Sequence, residues 1–251
     1  LVFGCTYIKE ILQKEGELLS PLFNIISLFL KYRAMKKLDL TSTVTDYSKS
    51  SMTRTLEYMG GFVNSKRLTN GNEKLHKVLV FDLPAVLSCP NCKDCKSSCY
   101  ALQAQKQYAD CRVFRNTNFH LAIFEIKKLQ TLIEQQLKRA KINVVRIHSS
   151  GDFFSQEYID MWTAIMKHFP NKKFYAYTKV EKLFKFKKLS NFNLITSFIG
   201  GKLNYGSIEY CNELKSHYNA FICPCGIDKD IKCGIDCNYC VTNKNVCFLQ
   251  H

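Results

Sequence analysis

The sequence predicts an α/β protein built on a parallel sheet, with two cysteine-rich metal-binding loops and an N-terminal helical segment. Two observations carry this prediction. From residue 141 onward, short runs rich in β-branched and aromatic residues alternate with helix-length amphipathic segments, the pattern of right-handed βαβ units. Most of the thirteen cysteines fall into two short runs that flank the alternation. About five strands are too few for a closed eight-stranded barrel. A partial (β/α) barrel is therefore the first reading of the architecture, and an open sheet its alternative.

Residues 1–59 read as a helical extension and linker, and 60–251 as the α/β domain. Residues 6–36 predict one or two helices, broken at Pro21. The apolar stretch 18–32 is interrupted by Ser20, Pro21, Asn24 and Ser27. It is shorter than the ~20 residues needed to cross a bilayer, so no membrane segment is expected. The chain begins at Leu1, and Met35 reads as an alternative start. Residues 37–56, polar and rich in Ser and Thr, read as the linker. Turn signals at Gly60-Gly61 and across 69–74 precede a strand over 77–85, which runs into the first cysteine loop.

Residues 101–139 read as mostly helical, with an apolar stripe of Leu121, Phe124, Leu129, Leu132 and Leu137 beneath a basic outer face. The alternation then follows: a strand at 141–148, a helix at 155–169 capped by Ser155, and a strand at 172–179. A basic helix at 180–190, a strand at 193–198, a helix at 207–218 and a strand at 220–223 complete it.

The first run places Cys89, Cys92, Cys95 and Cys99 at the spacing of the bacterial ferredoxin cluster motif. Tyr100 stands where those ferredoxins carry proline. An iron–sulfur cluster of 4Fe-4S type is the expected cofactor, and zinc is the competing occupant because tetrahedral sulfur sites suit it as well. The second run contains Cys233, Cys237 and Cys240 at the C-x3-C-x2-C spacing that radical S-adenosylmethionine enzymes use for a cluster with one open iron. Those enzymes carry the motif after the first barrel strand, whereas this one follows the last. Spare cysteines nearby (Cys223, Cys225, Cys247) are placed to close an open position. The second run therefore reads as a structural site of four cysteines, Cys223, Cys233, Cys237 and Cys240, separate from the first. Cys111 and Cys211 sit alone in helical segments. Clustered thiols in a chain able to build its own core point to metal thiolates in a reducing, cytoplasmic compartment rather than to a disulfide scaffold.

Polar residues gather at the carboxyl ends of successive strands, where parallel α/β folds bind ligands. Arg146 and His148 are expected on one face of the strand, followed by Ser149, Ser150, Gly151 and Asp152. A charged residue in a short buried strand needs a partner, so Arg146 is expected either to pair with a carboxylate such as Asp152 or to face an anion or cluster. Tyr177, Thr178 and Lys179 end the next strand, and Thr196 and Ser197 the one after. Arg115 and Asn116 join the candidate pocket from the helical segment.

Lysine and arginine number 36 against 21 acids, a formal charge of +15 that favours polyanions such as nucleic acid. Lys182, Lys185, Lys187 and Lys188, on the predicted basic helix, are the candidate contacts. No P-loop or dinucleotide fingerprint is present, which argues against a nucleotide-driven motor.

The segments 71–75, 82–90, 99–101, 115–116, 144–162 and 175–179, together with the terminal cysteines, resemble the gene-product-88 family of phage and mobile-element proteins. The likeness covers roughly residues 60–247, and its most specific part is Arg146-x-His148-x-Ser150-Gly151-Asp152-Phe153. The family's cysteines fall on Cys89, Cys95 and Cys99, which makes Cys92 an addition. The resemblance implies a phage or plasmid setting and a cysteine-bound metal, without a reaction. Taken together, the readings predict a cytoplasmic iron–sulfur protein of a phage or plasmid that binds nucleic acid in replication, its control or DNA processing. One alternative is a radical enzyme whose open cluster faces the Arg146–Asp152 pocket. The other is a zinc-stabilised binding module without catalysis.

Overall fold

A computed structural model describes residues 66–71, 75–92, 95–228, 230–243 and 245–249. The expected N-terminal helices, the linker, the Met35 start and the Gly60-Gly61 turn lie outside the described residues. The element that organises the rest is a parallel sheet of β1 (Val78–Phe81), β2 (Val144–Ile147), β3 (Lys173–Thr178) and β4 (Phe192–Thr196), in that order. Every pairing is parallel, and one rung crosses the whole sheet as Val80, Arg146, Tyr175 and Asn193. The next rung is Phe81, Ile147, Ala176 and Leu194. Side chains alternate across a strand, so these two rungs address opposite faces.

A sheet whose strands follow one another in chain order, with right-handed crossovers, places every crossover on the same face. Three helices fill the first crossover: α1 (Tyr100–Gln107), α2 (Ala109–Phe124) and α3 (Ile126–Arg139). The second holds α4 (Gln156–His168), whose N-cap Ser155 accepts the Tyr158 N–H as predicted. Trp162 of α4, fully buried, meets Phe81 edge-on at 5.2 Å, and Leu129, Ile133 and Leu137 of α3 are buried with it. The opposite face is left for the C-terminal segment. There Val78, Val80 and Tyr175 pack against Cys233, Cys240 and Val241.

Four expectations change. Among the described residues the sheet is open, ending at β1 and β4, so the open sheet holds there and the partial barrel does not. The expected strand at 220–223 joins no rung of it; β8 (Phe221–Ile222) instead belongs to a small sheet with β7 (Tyr205–Gly206) and β9 (Val246–Leu249), packed on α5 (Ile208–Tyr218). β5 (Phe198–Ile199) and β6 (Lys202–Leu203) form a hairpin whose turn residues, Gly200 and Gly201, both have positive φ.

Residues 180–190 form no helix. After a turn the chain runs extended, with Phe184 and Phe186 half-buried and Lys185 and Lys187 exposed, an alternation of period two rather than 3.6. The Gln156 side chain fixes it there, donating to the Lys185 carbonyl and accepting the Lys185 N–H, both at 2.9 Å. The amide thus takes up backbone groups that a helix would have used internally. Cys211, expected to stand alone in a helix, is instead disulfide-bonded to Cys247 of β9, with a Cα–Cα distance of 5.8 Å. Cys247 is thereby unavailable to the second cysteine run.

Candidate metal centre and strand-end site

Two carboxylates stitch the strand ends together. Asp82, the residue after β1, accepts the backbone N–H groups of Ser149 and Ser150 at 2.7 and 2.9 Å and the Ser149 hydroxyl at 2.8 Å. Arg115 reaches the same carboxylate from α2 at 3.4 Å and donates to the Ala101 carbonyl at 2.8 Å. Asp152, beyond β2, accepts from Phe153 N at 2.8 Å, Thr178 Oγ1 at 2.7 Å and Lys179 N at 2.9 Å. Burial pushes the Asp152 pKa up, against these donors. A third tie runs from Thr196 Oγ1 to Glu181 at 2.9 Å. Ser150 contributes a hydroxyl to the Leu83 carbonyl at 2.8 Å.

The expected pair of Arg146 and Asp152 does not form. The Arg146 guanidinium lies on the face away from the helices, 5.3 Å from the centre of the Tyr177 ring, with Nε donating to the His148 carbonyl at 3.3 Å. Burial would lower its pKa, but Tyr100, Tyr175, Tyr177 and Asp82 hold it above its ordinary value. His148 does not share that face either. Its φ of 68° turns the chain just past β2, and its ring enters the core beside Phe81, Phe153 and Tyr158. Nε2 and the Tyr158 hydroxyl are hydrogen-bonded at 2.8 Å. Burial, assisted by the charge of Arg146, lowers the His148 pKa to about 3, so the ring is a neutral core group rather than a charged ligand contact. Asn116 is half-buried on α2, whereas Asn118, which the sequence reading passed over, donates to the Asp82 carbonyl at 3.0 Å.

The first cysteine run is strapped across this edge. Asp152 N donates to the Ser88 carbonyl at 3.2 Å, Asn91 Nδ2 to the Lys179 carbonyl at 3.1 Å, and the Tyr100 hydroxyl to the Ser149 carbonyl at 2.6 Å. Gly151 permits the crossing: a Cβ there would come within 2.6 Å of both Leu83 and Ser88. Cys99 is the N-cap of α1. The Cys89 thiol is pushed up to about 12, first by burial and then by the nearby charge of Asp152. The cysteines that weigh most on it are Cys99 and Cys95. Cys89, Cys92, Cys95 and Cys99 lie on this one loop, the Cys92 carbonyl accepting from Cys95 N at 3.3 Å.

The second run lies elsewhere, against the open face of the sheet. Cys233 is backbone-bridged to Leu75 and to Cys237. Cys225 Sγ and Cys233 Sγ are 3.2 Å apart, and the Tyr177 hydroxyl donates to Cys240 Sγ at 2.7 Å. Asn193, from the fully crossed rung, donates to the Cys240 and Asn243 carbonyls at 2.9 and 2.8 Å. Burial raises the Cys223 thiol to about 12, with Cys225 adding to it. Burial also raises Cys240, against the opposing pull of Tyr177 and Arg146. Among the described residues, no three His, Cys, Asp or Glu side chains are arranged to hold a metal ion as they stand. Lys182, Lys185, Lys187 and Lys188 are all exposed. No helix of the described residues is long and apolar enough to cross a membrane.

Fold and site together define a cysteine-rich α/β protein, with one cysteine run over the carboxyl edge of a parallel sheet and another against its open face. The chain belongs to the gene product 88 family, which matches residues 57–240. Gene 88 protein of Mycobacterium phage D29 is 29% identical to it over 123 residues, covering 44% of this chain and 51% of that protein. The chain thus spans about half the length of this curated relative. No solved structure matches.

Proposed function

We propose that this phage-family protein is an iron–sulfur protein that binds nucleic acid in replication, its control or DNA processing. The observation that supports it best is the strapping of the first cysteine run across the strand ends by Ser88, Asn91 and Tyr100. That edge is where parallel α/β folds present ligands. Cys89, Cys95 and Cys99 would hold a cluster there, with Cys92 as the further thiol of the loop. The raised Cys89 thiol fits this donor role, since a bound metal cation favours the thiolate that burial alone opposes. A cluster would brace the loop and supply a redox-sensitive centre.

The nucleic-acid part rests on the formal charge of +15 and on the exposed lysines of the extended strip 182–188. Phe186 of that strip packs on Phe153, next to Asp152, so the strip lies alongside the same edge. Anaerobic purification with an absorption spectrum and iron, sulfide and zinc analysis tests the cluster. A brown protein with stoichiometric iron and sulfide is expected. A colourless protein without iron under anaerobic conditions would sink the reading.

One observation favours a second reading, a radical S-adenosylmethionine enzyme. The first run, not the second, follows the first strand of the sheet, which is the position such enzymes use. A cluster held by three cysteines would leave an iron open for that cofactor. Reductive formation of 5′-deoxyadenosine by the iron-loaded protein, lost on Cys99→Ser, is the result that would select it.

A further inference from the structure

The C-terminal segment and the open face of the sheet enclose a cavity of about 20 Å³. Four cysteines line it, Cys223, Cys233, Cys237 and Cys240, with Tyr175 on the sheet side. A single water needs roughly 10–15 Å³ on this measure, so the space suits one atom-sized occupant. One tetrahedral ion with sulfur ligands fits, at the ~2.3 Å typical of zinc–thiolate bonds.

The backbone around these sulfurs is held independently of any ion. Cys233 is bridged to Leu75 of the strand lead-in and to Cys237. Gly234, at φ 88°, lies so close to the His76 carbonyl that no Cβ could be accommodated. Asn193 fixes the Cys240 carbonyl from β4. One of the four cysteines also has a hydrogen-bond neighbour suited to a thiolate: the Tyr177 hydroxyl donates to Cys240. Cys225 Sγ stands 3.2 Å from Cys233 Sγ, and Cys225 is not among the residues lining the cavity. Groups of this kind around metal ligands orient them and tune their basicity.

We propose that Cys223, Cys233, Cys237 and Cys240 bind a single thiophilic divalent cation, zinc by preference, which pins the C-terminal segment to the open face of the sheet. All four cysteines line the one cavity, which is the observation that places them around a common ion. Cys225 is a hydrogen-bonding neighbour of this site, not a ligand. The proposal does not rest on the cluster assigned to the first run.

The test is metal analysis and X-ray absorption at the zinc edge, on full-length protein expressed with zinc supplied. The expected result is about one zinc per chain with an all-sulfur shell at ~2.3 Å. Zinc should persist in Cys95→Ser and in Cys225→Ser, and fall to a small fraction of its wild-type level in Cys237→Ser and Cys240→Ser. Retention in Cys95→Ser separates this site from the first run whatever that run binds. Should the ligand variants fail to fold, the wild-type absorption spectrum decides alone. Absence of zinc, a shell with nitrogen or oxygen, or iron and sulfide retained after Cys95 and Cys99 are both replaced would each overturn the proposal.

Discussion

The Tyr177 hydroxyl donates to Cys240 Sγ at 2.7 Å, and the same ring carries the Arg146 guanidinium 5.3 Å from its centre. A cation and a donor from two neighbouring strands therefore both favour the thiolate of Cys240 over its thiol. If that sulfur ligates an ion, Tyr177→Phe should weaken zinc by about 10–100-fold, the range seen when groups supporting metal ligands are removed. Competition against a chromophoric chelator measures it. An unchanged affinity would mean that the hydroxyl merely fills space.

A double-mutant cycle separates the partnership the strand ends use from the one expected at first. Asp82 meets Arg115 at 3.4 Å, whereas Asp152 is satisfied by Thr178 and two backbone N–H groups and Arg146 lies on the other face. Asp82→Asn and Arg115→Ala should therefore be non-additive, each destabilising the fold by about 3 kcal/mol, the order expected when one partner of a buried pair is lost. Asp152→Asn and Arg146→Ala should add within a few tenths of a kcal/mol, as non-contacting residues do. Denaturant midpoints for the six variants decide the matter, and strong coupling between Asp152 and Arg146 would refute the arrangement.

The sheet was legible because its strands are short β-rich runs bounded by turns, and the Ser155 cap because a serine before an amphipathic run has one main use. The segment 180–190 was not, since alternating Phe and Lys suits a basic helix or an edge-like extended chain equally. The deciding contact, Gln156 to Lys185, comes from 29 residues away. His148 was misplaced because strand alternation was carried one residue too far, past a positive φ that sequence periodicity does not report. Asp82 was overlooked for a related reason: a lone carboxylate after a strand has no motif, and its importance comes from Ser149 and Ser150, 67 and 68 residues on. The run of Cys233, Cys237 and Cys240 was legible from spacing, and with Cys223 these residues line one cavity; the disulfide of Cys211 with Cys247 was not legible, because it joins elements that only the tertiary fold brings together.

Acid stability should report on His148. Its ordinary pKa of 6.5 applies in the unfolded chain, and burial lowers it to about 3 in the folded one. Between these values the unfolded state binds the extra proton, so stability falls as pH drops from about 6.5 toward 3 and is fully present above. Each unit of such a shift corresponds to about 1.4 kcal/mol, so the effect is large on the scale of a domain's stability. His148→Asn, which tolerates the positive φ, should flatten the acid limb of a stability–pH curve while lowering its plateau. A variant with the wild-type slope would show that other groups control acid unfolding.

The exposed lysines 182, 185, 187 and 188 give the nucleic-acid reading a quantitative test. Each phosphate neutralised contributes about 0.9 to the slope of log affinity against log salt for duplex DNA. Replacing all four by glutamine should weaken DNA binding and reduce that slope by up to about 3–4. Fluorescence anisotropy over a salt series provides both quantities. Equal affinity and slope would clear the strip of any role, even if DNA bound elsewhere.

The last prediction concerns Cys92, which separates a closed cluster from an open one. Cys99 and Cys95 weigh most among the thiols acting on Cys89, and these three positions also carry the resemblance to the family. Cys92 is not one of the positions that carry the resemblance, and its backbone carbonyl accepts the Cys95 N–H. Iron should therefore be greatly reduced in Cys95→Ser and Cys99→Ser but retained in Cys92→Ser, with Cys111→Ser, on α2, as the control that leaves it unchanged. Iron and sulfide analysis of anaerobically purified variants is the measurement. Retention in Cys92→Ser would leave three cysteines for the cluster and make 5′-deoxyadenosine formation the next assay. Loss of iron there, at levels matching Cys95→Ser in a folded protein, would assign Cys92 as the fourth ligand. A cluster closed by four thiolates has no iron to offer a cofactor, and the radical reading would fall with it.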